Sequence, residues 1–301
     1  MQRVAHDVKA TIRFGRQYIF NRFIRPHSSH APNETRTSPQ SESEVHILTS
    51  QQDYVMACWS VLSYSATSGG TEPVIFHDDG TLKREAIARI HDLFPEARIV
   101  GRSEANVVVY ENFKSHPLLL KLRNRLPHIM KILDFRAFGN ARRIIMIDSD
   151  VLFLSSPNEL LEPGELHRFS RDVQNAYVIA PRELKKRTGI QIPVSVNCGI
   201  ATVLKEAVDT EMMEWLLRSG YVDLESCAPN VEQTLWALEC GSRGFEYLPE
   251  SYRICSGPGL EGVVAKHYVG AVLDKFRTSR DYFFVEGIPA VRRLLQSHLI
   301  H

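Results

Sequence analysis

The segment 142–156, RRIIMIDSDVLFLSS, constrains this chain most, because it sets two acidic residues inside an apolar run. Four apolar residues, 144–147, lead directly into Asp148, Ser149 and Asp150, after which the apolar run resumes. On an extended backbone residues i and i+2 project to the same side, so both carboxylates are expected to point to one place. Such a pair repels unless a proton or a cation compensates it. A hard divalent ion, Mn²⁺ or Mg²⁺, does so and keeps positions open for phosphate oxygens. The segment therefore predicts a metal site that holds a di- or triphosphate.

Two alternatives to this metal site can be weighed on the sequence. The first is a plain turn in which Asp148 caps a helix and Asp150 is solvated. The second is a P-loop nucleotide triphosphatase, in which an aspartate after an apolar strand serves Mg²⁺. That class requires Gly-x-x-x-x-Gly-Lys-Ser/Thr, which this sequence lacks. The metal site is the favoured interpretation, with the plain turn as its alternative.

Apolar runs alternate with helical patterns up to this segment, which is typical of a largely parallel α/β sheet covered by helices on both faces. In such sheets ligands bind beyond the carboxyl ends of the strands. We therefore expect Asp53, the turn 77–79 and the acidic pair to lie at one edge of the sheet. The predicted strands are EVHILTS (44–50), EPVIFHDDG (72–80), ARIVG (97–101) and 144–147, and the predicted helices are 54–64, 83–93 and 118–138 with a break at Pro127.

Composition excludes several classes of protein. The 301 residues carry a formal net charge of +1, which argues against a dedicated nucleic-acid binder. No apolar run approaches the length of about 18 residues that a membrane-spanning helix needs. Five cysteines at irregular spacing suggest neither a zinc site nor a disulfide framework, so the expected location is the cytoplasm.

The N-terminal part is expected to stand apart from the folded body. Residues 1–25 carry six basic residues against one aspartate, interleaved with apolar residues at roughly helical spacing. Such a helix could make peripheral membrane contact, and the alternative is a solvated or partner-packed helix. Residues 26–44 are polar and rich in Ser, Thr and Pro, which indicates a linker. The predicted division is a basic helix and flexible linker at 1–43 and a single catalytic domain at 44–301.

Over about residues 44–285 the chain resembles the GT-A glycosyltransferases, and it looks most like the glycogenin and bacterial lipopolysaccharide galactosyltransferase group. The segment IIMIDSDVLFLSSP carries the most specific part of the likeness. The resemblance implies a Rossmann-like GT-A fold and the metal-dependent transfer of a sugar from a nucleotide-diphosphate sugar, expected to be a UDP-sugar. It makes Asp148 and Asp150 the ligands of Mn²⁺ or Mg²⁺, and it counts Ser149 with the donor-binding residues.

Two further segments resemble motifs of this family near the donor sugar. SVNCGIATV is similar to its Asn-x-Gly segment, where the backbone turns, and Asn197 and Gly199 match. NVEQTLWAL is similar to a segment whose acidic residue and glutamine lie near the anomeric carbon. Here Glu232 replaces the usual aspartate, Gln233 matches and a later asparagine is absent. The resemblance makes Asn197, Glu232 and Gln233 catalytic candidates; plain turns or a helix start are the alternatives.

The segment AKHYVGAVLDKF resembles the family's His-x-x-Gly motif, in which the histidine completes the metal site. His267 and Gly270 match, and Lys275 or Arg277 is the candidate cation for the diphosphate. The family's Lys-Pro-Trp is missing here. Lys121, in the helix before the aspartates, is the expected basic residue for the donor, or else a solvated lysine. A core histidine is the alternative for His267.

The first two strands are expected to contact the nucleoside. The resemblance places Thr49, Gln51 and Tyr54 around the base and ribose, with Tyr54 able to stack on the base. It places Asp79 at the end of the second strand, where the nucleoside would lie. Sugar-nucleotide pyrophosphorylases have a similar fold but carry a glycine-rich loop after the first strand, where TSQQDYV has no glycine.

The expected activity is therefore hexosyl transfer from a nucleotide-sugar donor to an unidentified saccharide, lipid or protein acceptor. Retention follows the resemblance; if a carboxylate acts as base toward the acceptor, with Glu232 or Asp223 as candidates, the enzyme inverts. A catalytically silent nucleotide-sugar or glycan-binding module and, less favoured, a nucleotidyltransferase are the alternatives. Residues 257–262, GPGLEG, are expected to form a loop that closes over the donor.

Overall fold

The structure is a computed structural model that describes residues 42–223, 230–254, 257–269 and 279–298. Its strands are β1 (Ser43–Thr49), β2 (Val74–Asp78), β3 (Arg98–Val100), β4 (Arg143–Ile147), β5 (Val151–Phe153), β6 (His167–Arg171), β7 (Val196–Leu204), β8 (Phe245–Tyr247), β9 (Tyr252–Ile254) and β10 (Ala265–His267). Its α-helices are α1 (Tyr54–Ser68), α2 (Arg84–Leu93), α3 (Arg102–Phe113), α4 (Pro117–Arg125), α5 (Met130–Phe138), α6 (Asn158–Leu161), α7 (Pro181–Thr188), α8 (Thr210–Arg218), α9 (Val231–Arg243), α10 (Ser279–Tyr282) and α11 (Ile288–His298).

The larger sheet has seven strands in the order β3-β2-β1-β4-β7-β6-β8. The first four are mutually parallel, and β6 and β8 run in the same direction. Within this sheet of the described residues only β7 is antiparallel to its neighbours, β4 and β6. The predicted α/β class with a mostly parallel central sheet flanked by helices is confirmed.

Strand β4 is buried on both faces, which explains its continuous apolar run. Ile144 and Met146 pack into the large cluster formed with the helices that follow β3 and β6. Ile145 and Ile147 face the opposite way, into a cluster shared with β1 and β5. Side chains alternate along a strand, so a strand covered on both sides has no polar face to show.

The acidic pair lies in a turn between two sheets, not within one extended strand. Residues after β4 turn sharply, and the N–H of Val151 donates to the carbonyl of Asp148 at 3.2 Å. Strand β5 then joins a second sheet in the order β5-β10-β9. The expectation of an extended backbone at 148–150 is wrong, because the apolar run after the turn packs into the second sheet. The two carboxylates nevertheless converge on one place.

The helix predicted at 118–138 is interrupted, as Pro127 indicated. α4 ends at Arg125, a 3₁₀ turn spans Pro127–Ile129, and α5 begins at Met130. A proline supplies no N–H for the preceding turn, so it suits the first position of a new helical segment. This break determines which side chains α5 directs to the carboxyl edge of the sheet.

Strand β1 begins at Ser43, the second residue that the structure describes. Residues 1–41, and with them the predicted basic helix and most of the linker, lie outside the described residues. In the part of the chain that the structure describes, no helix is both long and apolar enough to cross a membrane.

Candidate functional site

A pocket of about 440 Å³ opens at the carboxyl edge of the parallel strands, where sequence reasoning placed the site. Asp53, Asp79 and the acidic pair all line it, whereas His77 and Asp78 are buried behind it. Because β7 is antiparallel, its first residues reach the same edge. The lining residues are Leu48, Thr49, Ser50, Asp53, Asp79, Pro127, His128, Lys131, Asp148, Ser149, Asp150, Asn197, Cys198, Gly199, Asn230, Glu232, Gln233, His267, Val269 and Arg280.

Asp148, Asp150 and His267 form a compact group in this pocket. One ligand atom from each lies within 4.8 Å of the others. His267 Nε2 is 3.0 Å from Asp150 Oδ1 and 3.7 Å from Asp148 Oδ2. Two carboxylates and one imidazole nitrogen form a donor set suited to Mn²⁺, and the carboxylates equally suit Mg²⁺. The turn after β4 and the end of β10 bring these three side chains together.

The surroundings of His267 fit a metal ligand. Its Nδ1 lies 3.1 Å from Asn197 Oδ1, an oxygen that also accepts from the N–H of Gly199 at 2.9 Å. An amide oxygen can only accept, so Nδ1 must carry the proton and Nε2 is left to face the two carboxylates. Metal-binding histidines usually donate their second N–H to an oxygen in this way. Asn197 therefore orients the histidine from within strand β7.

Gly199 provides the space for this arrangement. A Cβ at this position would overlap the His267 ring and lie 3.0 Å from Asp148 Oδ2. Both Asn197 and Gly199 lie within β7. The pairing of β7 with β6 shifts register here, from Ser170 opposite Asn197 to Phe169 opposite Ala201, so the backbone is irregular at this segment.

The charges of the group are mutually compensated. Burial acts to raise the pKa of Asp150, but His267 and then Arg280 outweigh it and hold that pKa at about 2. Burial acts to lower the pKa of His267, but Asp150 in turn raises it above its ordinary value. The carboxylate is thus ionised, and a metal ion would compete with Arg280 and His267 for it.

Lys131 is a central residue of the site that sequence reasoning missed. It is almost fully buried, and its Nζ contacts Asp148 Oδ1 at 2.9 Å, the carbonyl of Cys198 at 3.3 Å and Glu232 Oε1 at 3.2 Å. Burial acts to lower the pKa of Lys131, but Asp148 and Glu232 raise it, so the amine stays charged. A lysine within the apolar run IMKILDF was the available signal.

Glu232 and Gln233 line the pocket at the start of α9, close to where the helix was expected to begin. Burial raises the pKa of Glu232 to about 7, although Lys131 acts against that rise. Gln233 Nε2 donates to Asp172 Oδ2 at 2.9 Å, and Asn197 Nδ2 donates to the same oxygen at 2.8 Å. Asp172 thus fixes both amides, which sequence reasoning did not foresee.

Arg280 supplies a second cation that sequence reasoning missed. Its Nε donates to Asp150 Oδ2 and its Nη1 to Asp53 Oδ1, each at 3.1 Å. It lies in α10, directly after the segment 270–278. Gly270, Lys275 and Arg277, the predicted donor-binding residues of that segment, lie outside the described residues.

The other predicted donor-binding residues divide into two groups. Thr49, Asp79 and Ser149 line the pocket. Gln51, Tyr54 and Lys121 do not: Gln51 Oε1 accepts from the N–H of Lys83 at 2.8 Å, and Tyr54, the first residue of α1, packs against two apolar clusters. Lys121 lies on the exposed side of α4, one helix before Lys131. Asp223, the alternative base, is also exposed and does not line the pocket.

No protein-family model matches this sequence, and no curated protein matches it either. Solved structures do match the fold. The galactosyltransferase LgtC, in complex with donor and acceptor sugar analogues, superposes with a TM-score of 0.53 at 14% identity, over 84% of this chain and 95% of that one. An active-site mutant of LgtC gives a TM-score of 0.51 at 13% identity, with the same coverage.

The bifunctional glycosyltransferase WbbM, in its apo form, gives a TM-score of 0.51 at 14% identity, over 87% of this chain and 52% of that one. At these identities the likeness establishes the fold alone, and neither the activity nor the substrate. The chain has the GT-A glycosyltransferase fold, as the sequence predicted.

Proposed function

We propose that this protein is a metal-dependent glycosyltransferase that takes its sugar from a nucleotide-diphosphate sugar, with a UDP-sugar as the expected donor. The main support is the group Asp148, Asp150 and His267, whose ligand atoms lie within 4.8 Å of one another in the pocket of a GT-A fold. LgtC is a galactosyltransferase and WbbM a bifunctional glycosyltransferase, which also supports this assignment.

Asp148, Asp150 and His267 would hold the divalent ion, Mn²⁺ or Mg²⁺. When bound, the ion stabilises the negative charge that develops on a departing nucleoside diphosphate. Asn197 holds the Nδ1 proton of His267, so Nε2 is the nitrogen that would bind the ion once it has lost its own proton. Arg280, which donates to Asp150, would contribute a positive charge toward the diphosphate.

The part of the pocket around Glu232, next to the metal group, suits the sugar. Glu232, Gln233 and Asn197 place one carboxylate and two amides beside the buried Lys131 ammonium. Such groups can pair with the several hydroxyls of a hexose, and the two amides are oriented by bonds of their own. We propose retention of configuration. A reaction with inversion would instead require Glu232 to take the acceptor proton, a role that its raised pKa suits and that Lys131 at 3.2 Å opposes.

A thermal-shift panel of nucleotides and nucleotide sugars, each with and without Mn²⁺, tests the proposal. A stabilisation that requires both the metal and a diphosphate is expected, because only the bound ion links the carboxylates to the phosphates. Asp150→Ala should abolish the joint effect, and Asp92→Ala, an exposed aspartate of α2, should retain it. Stabilisation by a nucleoside triphosphate with release of pyrophosphate would support nucleotidyl transfer instead.

A further inference from the structure

Strand β10 directs two neighbouring charged side chains into different surroundings. His267 faces the pocket, whereas Lys266, one residue earlier, is fully buried and does not line it. An ammonium group taken out of water is strongly destabilising unless hydrogen bonds and an opposite charge compensate it. Burial of the Lys266 ammonium directly behind the metal group therefore costs desolvation free energy, which its contacts must offset.

Lys266 connects three parts of the chain. Its Nζ donates to Glu286 Oε1 at 2.7 Å and to the carbonyls of Gly257 and Gly259 at 2.8 and 3.2 Å. Glu286 Oε2 in turn accepts from the N–H of Gly259 at 2.7 Å. The ammonium thereby connects strand β10 and the loop 257–262 to residues 279–298, the C-terminal segment. This loop was expected to close over the donor, but none of its residues lines the pocket.

The C-terminal segment carries Arg280 to the site. Glu286 belongs to a short π-helix, Phe283–Gly287, which follows α10 directly. Phe283 is buried against Tyr268, two residues after Lys266, with ring centroids 5.5 Å apart. Six residues before Glu286, the guanidinium of Arg280 pairs with Asp150 and Asp53. π-Helical turns are frequent at functional sites, where they redirect neighbouring side chains.

We propose that Lys266 is a positioning residue of the donor site. Through its ion pair with Glu286 it holds the C-terminal segment in the register that places Arg280 against Asp150 and Asp53, ready to meet the diphosphate. This inference rests on the proposed metal and diphosphate site. The competing hypothesis is a core ion pair that contributes to stability alone.

The first test measures UDP affinity at saturating Mn²⁺ by calorimetry for the wild type, Lys266→Met, Arg280→Gln and the double variant. If Lys266 acts through Arg280, each single change should weaken UDP binding about tenfold, as removal of a supporting residue typically does. The double variant should be no weaker than Arg280→Gln alone, because residues that act through one another are not additive. Additive losses of about a hundredfold, or wild-type affinity in Lys266→Met, would overturn the proposal.

A second test measures the binding of Mn²⁺ without nucleotide, using the electron paramagnetic resonance signal of the free ion. It distinguishes a positioning role of Lys266 from a general distortion of the protein core. Arg280 competes with a metal for Asp150, so Lys266→Met should bind Mn²⁺ alone at least as tightly as the wild type. A distorted core would weaken both Mn²⁺ and UDP. Equal losses of both therefore contradict the proposal.

Two further variants test whether a loss of UDP affinity comes from unfolding of the protein. Glu286→Gln removes the same ion pair with little change of shape and should reproduce the selective loss of UDP affinity. Glu214→Gln is its matched control, because Glu214 is also a buried carboxylate that accepts backbone N–H groups, those of Leu118 and Leu119. This control should bind UDP as the wild type does; a similar loss would overturn the proposal. If the wild type itself binds no UDP with Mn²⁺, the proposed function fails first, which is a separate result.

Discussion

Gly199 shows how a single residue can decide whether the metal group forms. The backbone of β7 passes so close to the metal side chains that a Cβ there would overlap the His267 ring and meet Asp148 Oδ2 at 3.0 Å. The glycine is required for close approach and not for a left-handed backbone conformation, because its φ angle is not positive. The neighbouring Asn197 orients the same histidine, so β7 shapes the metal group from two positions.

Gly199→Ala should therefore lose metal binding while the protein stays folded. The added methyl group must displace the His267 ring, and we expect Mn²⁺ affinity to fall by about tenfold or more. Gly101→Ala is the matched control, because a Cβ at Gly101 has nothing within 4 Å. Calorimetric titration with Mn²⁺ and UDP provides the measurement. Unchanged affinity in Gly199→Ala would show that His267 is not held as described.

At this scale the sequence predicted the pocket residues that belong to short motifs. Asp148 and Asp150 were predicted from the apolar run around them and His267 from the family resemblance, and the structure brings the three side chains together. Lys131 and Arg280 were missed for a physical reason. Their partners are distant in sequence, as between Arg280 and Asp53, so no local pattern reveals the pairing.

Among the elements, the first four strands of the large sheet were predicted, including the three-residue β3, whereas helix α3, strand β7 and the second sheet were not. Strand β1, helix α2 and the break at Pro127 follow from periodicity and from the missing proline N–H. Strands β5, β9 and β10 have three residues each, which is too few to show alternation. Their sheet depends on contacts between segments distant in the sequence, such as Val151 with His267. The turn at the acidic pair followed from that unforeseen sheet.

The C-terminal elements meet β5 at a close contact that leads to a second prediction. A Cβ at Gly287 would overlap Leu152 and lie 2.7 Å from Tyr268 Oη. Gly287→Ala should therefore destabilise the protein by about 1–3 kcal/mol, as overpacking of a core does. Urea unfolding is the measurement, with Gly257→Ala as control because its Cβ has open space. A variant as stable as the wild type would mean that the C-terminal segment packs less closely.

Across the whole molecule, stability should depend on a buried histidine pair that joins β1 to β2. His46 Nδ1 and His77 Nε2 are 3.0 Å apart, and both rings pack beside Phe135. Burial lowers the pKa of His46 below 6.5 and that of His77 well below it, so both rings are neutral in the fold. This pair lies behind the pocket, apart from the metal group.

The free energy of unfolding should therefore fall as the pH drops below about 6.5, the ordinary histidine pKa. In that range the unfolded chain takes up protons at His46 and His77 that the folded chain does not, so acid favours unfolding. Each histidine contributes up to about 1.4 kcal/mol per pH unit. Urea unfolding at a series of pH values measures the slope, and His77→Gln should reduce it by about one proton. An unchanged slope in that variant would contradict neutral burial of His77.

The proposed function depends on a divalent ion between the turn after β4 and the end of β10. Anomalous diffraction at the manganese edge, from crystals grown with Mn²⁺ and UDP, tests this most directly. We predict one strong peak within bonding distance of Asp148, Asp150 and His267, in contact with the diphosphate. A peak elsewhere, or UDP bound in the pocket with no manganese at these three side chains, would contradict the proposed site.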